Sequence, residues 1–259
     1  GRDGAGLTDD IGEVVQTMKE QNMIGLEQHY ALWYERRRDD HQRVRRMDGE
    51  VWAFFYELPF ARSGSDTAWD GLSKYDLTKY NPWYWNRMRE FASEAEREGL
   101  LLIHQNYFQH NIIEAGAHYA DFPWRAANNI NKTPFIEPVN YAGDKRIFYA
   151  EQLYNITNPA YRELHKKYIW QSLNNFQSSR NVIQSIGEEF TGPLHFVQFW
   201  LDCIKTWPLF KTNKPVISLS TTKDVQDAIL NDPKYASTVD LIDIKYWHYQ
   251  ADGTVYAPQ

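Results

Sequence analysis

Hydrophobic residues are distributed in two different ways along this chain. Ile11, Val14, Val15 and Met18 recur every three or four residues behind an acidic start, which predicts an amphipathic helix. Other short stretches are apolar along most of their length, as parallel strands covered on both faces are. They read IGLEQHY, LLLIHQNY, NVIQSIGEE, PVISLST and VDLIDIKYWHY. Helical patterns separate these stretches, so the chain predicts repeated βα units around a parallel sheet.

The helices between these strands carry their own start and stop signals. One begins at Pro82 and is closed by Gly99, and another begins behind Asn158 with Pro159 in its first turn. Two more are predicted for GPLHFVQFWLDCIKTW and TKDVQDAILND. Two long connections, 31–82 and 107–158, each leave the carboxyl end of a strand, where functional loops lie. Within the first, GEVWAFFYELPF fits either a further strand or a buried insertion.

A parallel sheet of βα units leaves two common architectures, a doubly wound sheet and a (β/α)8 barrel. No glycine-rich phosphate loop follows any predicted strand, which argues against a nucleotide-binding doubly wound fold. Polar residues gather instead at the carboxyl ends of the strands, where a barrel builds its active site. They are Gln28 and His29, His104 and Asn106, Glu188 and Glu189, and Lys245 and His248. We therefore predict a single (β/α)8-barrel domain over residues 1–259.

Composition narrows the partners of such a barrel. The net charge of −6 argues against a nucleic-acid surface, and no apolar run is long enough to predict membrane insertion. Aromatic residues reach 15% of the chain. In NPWYWNRM and KYWHYQ they stand beside hydrogen-bonding side chains, a combination that suits sugar rings. Composition predicts no particular oligomeric state.

The most informative stretch is NVIQSIGEEFTGP, residues 181–193, in which two adjacent acids follow a buried strand. Adjacent residues on a strand point to opposite faces, so Glu188 and Glu189 are expected to have different roles. This run resembles the fourth-strand signature of clan A glycoside hydrolases, best known from cellulase-like enzymes. Gly187 stands at the small residue of that signature and Glu189 at its acid/base glutamate. Glu188 stands where the family carries Asn, and Phe190 replaces the usual Pro.

The resemblance implies a retaining glycoside hydrolase in which Glu189 is the general acid/base. Glu188 is expected to bind a sugar hydroxyl, although an ionised carboxylate only accepts hydrogen bonds where Asn also donates. KYWHYQ resembles the sixth strand, where His248 and Tyr249 match a frequent His-Tyr pair. The whole chain also resembles an uncharacterised family of bacterial proteins assigned as glycoside hydrolases. The remaining predicted sugar-binding residues are His29, His104, Asn106, Trp124, Arg125, Asn128, Asn129 and Trp247.

Strand counting by this resemblance makes the chain an incomplete barrel that covers about strands 2 to 6. The strands are 24–30, 100–106, 182–189, 215–220 and 240–248. The nucleophilic glutamate of the clan ends the seventh strand and is therefore expected beyond Gln259, so residues 1–259 alone are expected to be inactive. A secreted or periplasmic location is expected for an enzyme that degrades polysaccharides.

Three alternatives accompany this reading. The first is a carbohydrate-binding barrel without catalytic activity, which has the same strand pattern. Only an enzyme would have a second carboxylate positioned to pair with Glu189. The arginine-rich run YERRRDDHQRVRR, 34–46, fits a self-paired solvated surface or a subsite for an anionic sugar. A metal-dependent hydrolase is the third: His110, Glu114 and His118 are spaced four apart as metal ligands on a helix could be, but Gly116 weakens that helix. We predict no metal and no cofactor.

Overall fold

The computed structural model describes residues 10–28, 32, 58–107, 122–135 and 151–244. Its helices are α1 (Ile11–Glu20), α2 (Pro82–Arg97), α3 (Pro159–Asn175), α4 (Leu194–Lys205) and α5 (Lys223–Leu230). Its strands are β1 (Gly25–Gln28), β2 (Phe60–Arg62), β3 (Tyr75–Tyr80), β4 (Leu101–Gln105), β5 (Val182–Ser185), β6 (Val216–Leu219) and β7 (Leu241–Ile242). Two short 3-10 helices, Ala126–Asn128 and Ala236–Thr238, complete the described elements.

Helix starts follow the sequence signals closely. The Asn81 side chain accepts hydrogen bonds from the backbone N–H groups of Trp83 and Tyr84 at the start of α2. The Asn158 side chain accepts one from Ala160 in the same way at the start of α3. A proline follows each asparagine, where the missing N–H costs nothing and the fixed φ suits a helix. The predicted starts of both helices are confirmed.

Five strands form one parallel sheet in the order β1-β4-β5-β6-β7. Every strand therefore pairs with the next strand of this sheet along the chain. Right-handed crossovers that always step in the same direction place all their helices on one face of the sheet. A doubly wound fold would instead reverse its strand order at a switch point. The order is that of a segment of a (β/α) barrel, with β1 and β7 as the two edges among the described residues.

The two faces of this sheet differ in burial. Leu102, Ile217 and Leu219 point toward the helices and are completely buried. Their neighbours on the opposite side, which we call the inner face, are partly open: Leu101, Val216 and Leu241 are 40%, 38% and 44% exposed. The interior of a complete barrel is filled by side chains from all its strands. The described strands thus agree with the predicted incomplete arc, and no closed barrel is formed by the residues that the structure describes.

The first long connection contains a β-hairpin that was not predicted from the sequence. Strands β2 and β3 pair antiparallel, and the Arg62 guanidinium lies 3.9 Å from the centroid of the Tyr75 ring. The same guanidinium forms an ion pair with Asp70 and donates to the backbone carbonyl of Ser73 at 2.9 Å. A segment of the second long connection docks on β3, because Ile130 donates its backbone N–H to the Tyr75 carbonyl at 3.0 Å. The described parts of the two connections therefore contact each other.

Candidate active site

The carboxyl end of β5 turns away from the sheet before the two acids are reached. The strand ends at Ser185, and Glu188 and Glu189 lie in the following turn, both half-buried. The two acids therefore lie outside the strand, and the argument from strand alternation does not apply to them. Glu189 has a positive φ of 48°. This left-handed conformation is uncommon outside glycine, and such residues cluster at functional sites when the surrounding structure holds them.

Strand β6 holds the turn in place. The backbone N–H of Glu189 donates to the Ser220 hydroxyl at 3.2 Å, and the backbone N–H of Phe190 donates to the Ser220 carbonyl at 2.8 Å. Phe190 also forms an isolated parallel bridge with Thr221. The Phe190 ring is completely buried and stacks on Phe196 of α4, with centroids 6.1 Å apart. The backbone on the carboxyl side of Glu189 is therefore anchored both to the sheet and to the helix layer.

Two glycines flank the acids because neighbouring atoms leave no room for a side chain. A Cβ on Gly187 would lie 2.5 Å from the backbone oxygen of Tyr107, which follows β4. A Cβ on Gly192 would lie 2.5 Å from the Phe190 ring and 2.9 Å from the Tyr154 ring. Real Cβ atoms do not approach that closely, so the small residues of this motif permit tight packing of the turn.

Strand β4 orients its polar side chains differently from the prediction. His104 and Asn106 were expected to line the pocket, but both are completely buried on the side of β4 that faces the helices. The ring of His104 packs against Phe176 at the end of α3, with centroids 4.9 Å apart. Successive side chains of a strand alternate between faces, so Gln105 points to the inner face. Gln105 is also buried, and neither amide atom of its side chain has a hydrogen-bond partner.

Asn106 connects the sheet to two helices. Its side-chain amide donates to Gln184 of β5 at 3.1 Å and to Ser172 of α3 at 3.3 Å. Its side-chain oxygen accepts from the indole N–H of Trp200 in α4 at 2.7 Å. Its backbone carbonyl accepts from the Tyr168 hydroxyl at 2.7 Å. These contacts give Asn106 a structural role at the end of the strand, in place of the predicted contact with a sugar.

Two buried histidines, His104 and His165, remain neutral in the folded protein. Burial lowers the pKa of each ring from 6.5 to about 3. His165 accepts a hydrogen bond at Nδ1 from the Tyr107 hydroxyl at 2.8 Å and donates from Nε2 to the Leu153 carbonyl at 2.7 Å. Among the residues that the structure describes, neither ring nitrogen of His104 has a hydrogen-bond partner. His165 thus links Tyr107, after β4, to Leu153 through hydrogen bonds, whereas His104 contributes packing alone.

Protein stability is expected to fall as the pH is lowered through 6.5. In the unfolded chain both histidines bind a proton near pH 6.5, whereas the folded chain resists protonation down to about pH 3. The unfolded state therefore binds more protons in this window, and above it these groups contribute no pH dependence. Each histidine should cost about 2 kcal/mol of unfolding free energy at pH 5 relative to pH 7. Urea unfolding at several pH values measures this loss.

The variant His104→Leu is the matched control for this pH dependence. It should lose about half of the slope between pH 6.5 and 5 while keeping its stability at pH 7, because the imidazole it removes makes no hydrogen bond. The corresponding change at His165 should destabilise the protein at pH 7, since the Tyr107 hydroxyl and the Leu153 carbonyl lose their partner. An unchanged slope in His104→Leu would contradict the assignment.

The predicted sugar-binding loop around Trp124 is largely internal. The Trp124 ring is completely buried and meets the His165 ring edge-on at 4.8 Å. Asn128 accepts from the backbone N–H of Trp69, and Asn129 donates to backbone carbonyls of Pro123 and Arg125. These amides close the loop and fasten it to the hairpin. Arg125 is half-buried and is the only one of the four predicted residues here with substantial exposure.

The other predictions fall on parts of the chain that the structure does not describe. His29, Trp247, His248 and Tyr249, the arginine-rich run 34–46 and the residues His110, Glu114 and His118 lie outside the described residues. Within the described ranges, no group of three His, Cys, Asp or Glu side chains is placed to hold a metal ion. In the same ranges, no helix combines the length and the apolar character needed to cross a bilayer.

Comparison with known proteins places the chain in a family. The profile of a domain of unknown function, DUF6298, matches residues 1–259. No curated protein matches the chain. Among solved structures, endo-glycoceramidase II from Rhodococcus sp., in complex with a cellobiose-like imidazole, is 12% identical with a TM-score of 0.37. That match covers 68% of this chain and 50% of the Rhodococcus chain.

A candidate glycoside hydrolase from Bacteroides vulgatus is also 12% identical, with a TM-score of 0.42. The match covers 92% of this chain and 42% of the Bacteroides chain. This chain thus spans about half the length, or less, of the solved structures that it matches. At this degree of similarity the function has to be inferred from the site of this chain itself.

Proposed function

The chain belongs to the DUF6298 family, and we propose that it carries the acid/base residue of a retaining glycoside hydrolase acting on poly- or oligosaccharides. Glu189 is the proposed general acid/base. The main support is the backbone of Glu189, which is left-handed and held by hydrogen bonds from its own turn to β6. A carboxylate held at the carboxyl end of a barrel-type strand is in the place where such enzymes carry their catalytic groups.

The proposed reaction has two steps. In the first, the protonated Glu189 gives its proton to the glycosidic oxygen while the bond from that oxygen to the anomeric carbon breaks. A second carboxylate forms a bond to the anomeric carbon from the opposite side, which leaves a covalent glycosyl-enzyme. In the second step the ionised Glu189 removes a proton from water as the water oxygen attacks the anomeric carbon. The ester bond from the anomeric carbon to the second carboxylate breaks in the same step, and both carboxyl groups return to their starting states.

Retention requires the two carboxyl groups to lie about 5–5.5 Å apart, against about 6.5–9.5 Å in an inverting enzyme. By resemblance, the second carboxylate is the glutamate that ends the seventh strand of the barrel. Gln105 and Ser185 lie level with each other on the inner faces of β4 and β5, below the turn that carries Glu189. They are the described residues best placed to form the floor of the proposed pocket.

The proposal is tested by the stereochemistry of the product. The intact protein is incubated with a panel of plant and microbial polysaccharides and with aryl glycosides, and the first-formed sugar is observed by proton NMR. A product with the anomeric configuration of its substrate is expected. The opposite configuration would contradict the retaining mechanism. Binding of these sugars without any hydrolysis would favour the alternative of a carbohydrate-binding barrel without catalytic activity.

A further inference from the structure

Ser220, which directly follows β6, contacts the backbone of the proposed acid/base turn twice. Its hydroxyl oxygen accepts from the backbone N–H of Glu189 at 3.2 Å. Its carbonyl accepts from the backbone N–H of Phe190, the next residue, at 2.8 Å. Two consecutive N–H groups of the turn after β5 are therefore bound by one residue of the neighbouring strand.

We propose that Ser220 is a positioning residue that sets the direction of the Glu189 side chain. The proposal rests on the proposed function of Glu189. It adds the group that would hold the Glu189 carboxyl in position for that function. Glu189 has a φ of 48°, a conformation that an L-residue with a long side chain rarely adopts. Relaxation of the turn toward ordinary φ values would point the carboxyl group elsewhere. The hydrogen bond to the Ser220 hydroxyl opposes that relaxation at the residue itself.

The surroundings of Ser220 make it a firm support. It is completely buried and directly follows β6, which pairs with β5 along Ile183, Gln184 and Ser185. The residue after it, Thr221, is also completely buried and bridges to Phe190. The carbonyl contact to Phe190 involves only backbone atoms and persists in any variant at position 220. A change of the side chain therefore removes the support of Glu189 while the rest of the junction stays in place.

The two contacts have separate consequences that an experiment can tell apart. The carbonyl contact accompanies the isolated bridge between Phe190 and Thr221 and serves the fold. The hydroxyl contact serves a single amide, that of Glu189, and alanine at position 220 removes it without adding atoms to a buried site. Because kcat/KM reports the first chemical step, a misplaced acid lowers it only for substrates whose leaving group needs a proton. A displacement of about 1 Å can cost about 100-fold.

The test compares two glycosides of one sugar, both cleaved by the intact protein. One has an alkyl leaving group, which needs protonation, and the other has a 2,4-dinitrophenyl leaving group, which departs without it. In Ser220→Ala, kcat/KM for the alkyl glycoside should fall by about 10–100-fold. For the dinitrophenyl glycoside it should change by less than about threefold, because acid catalysis is not used. Ser178→Ala, at an exposed serine in the turn before β5, should leave both values unchanged.

A second measurement is independent of catalysis. Hydrogen exchange at the Glu189 amide should become faster in Ser220→Ala and stay unchanged in Ser178→Ala. Equal losses on both glycosides, or no loss on either, would overturn the positioning role, and so would unchanged exchange at Glu189. The variant Glu189→Gln distinguishes failure of the positioning role of Ser220 from failure of the acid/base role of Glu189. If Glu189→Gln shows no dependence on the leaving group, Glu189 is not the acid, and both proposals fall together.

Discussion

Turnover of glycosides with poor leaving groups is expected to fall by about 10²–10⁴-fold when Glu189 is replaced with glutamine in the intact protein. Glutamine keeps the shape of the side chain but cannot give a proton to the departing oxygen or remove one from water. Both chemical steps of the proposed mechanism are therefore impaired. Because the turn is held at its backbone by Ser220, the substitution should leave the fold intact.

The measurement uses steady-state kinetics with and without sodium azide. Azide attacks the glycosyl-enzyme without needing a general base, so it should restore kcat of Glu189→Gln on an activated aryl glycoside and yield a glycosyl azide. Glu188→Gln is the matched neighbour in the same turn. It should cost much less and act mainly through KM, as expected for a residue that binds a hydroxyl. The reverse ranking of the two variants would assign the acid/base role to Glu188.

Loss of the Asn106 side chain is expected to cause the largest change in stability. Asn106→Leu removes three side-chain hydrogen bonds and leaves the buried indole N–H of Trp200 without its acceptor. An unsatisfied buried donor costs about 1–3 kcal/mol, and the lost bonds to Ser172 and Gln184 add to it. We expect the free energy of unfolding to fall by about 3–4 kcal/mol.

Denaturant unfolding followed by tryptophan fluorescence measures this change. Asn86→Leu, on the exposed side of α2, is the control and should stay within about 0.5 kcal/mol of the parent protein. The double variant with Trp200→Phe removes the donor that Asn106→Leu leaves unpaired. The coupling energy between the two positions should then lie at about 0.5–3 kcal/mol. A loss below about 1 kcal/mol in Asn106→Leu would show that water or another side chain satisfies Trp200 instead.

Helix starts and the parallel sheet were predictable from sequence because their causes are local. An asparagine followed by proline places the start of α2 and of α3, since the capping group and the restricted φ lie within three residues of each other. The apolar stretches corresponding to β4, β5 and β6 were recognisable for the same reason. They alternate with helical patterns, and this alternation leaves few ways of burying both kinds of element.

The orientation of β4 was not predictable, because both faces are buried at its carboxyl end, where His104 and Gln105 are completely buried. His104 and Asn106 face the helices and Gln105 faces inward, yet all three are polar and adjacent in sequence. In a strand with one solvent-exposed face, the polar side chains identify the side that faces solvent. A strand between helices and a barrel interior carries no such signal, so only the packing of α3 and α4 decides which side chain reaches the pocket.

The sequence by itself determined that this chain has helices and parallel strands in alternation, and that an acidic pair follows the strand after α3. The tertiary structure alone decided how that pair is arranged. The backbone N–H of Glu189 binds the hydroxyl of Ser220, thirty-one residues later in the chain. The amides of Asn128 and Asn129 bind backbone groups in the hairpin and in their own loop instead of a ligand. Hydrogen bonds of this kind have no sequence period, because their partners become neighbours only when the chain has folded.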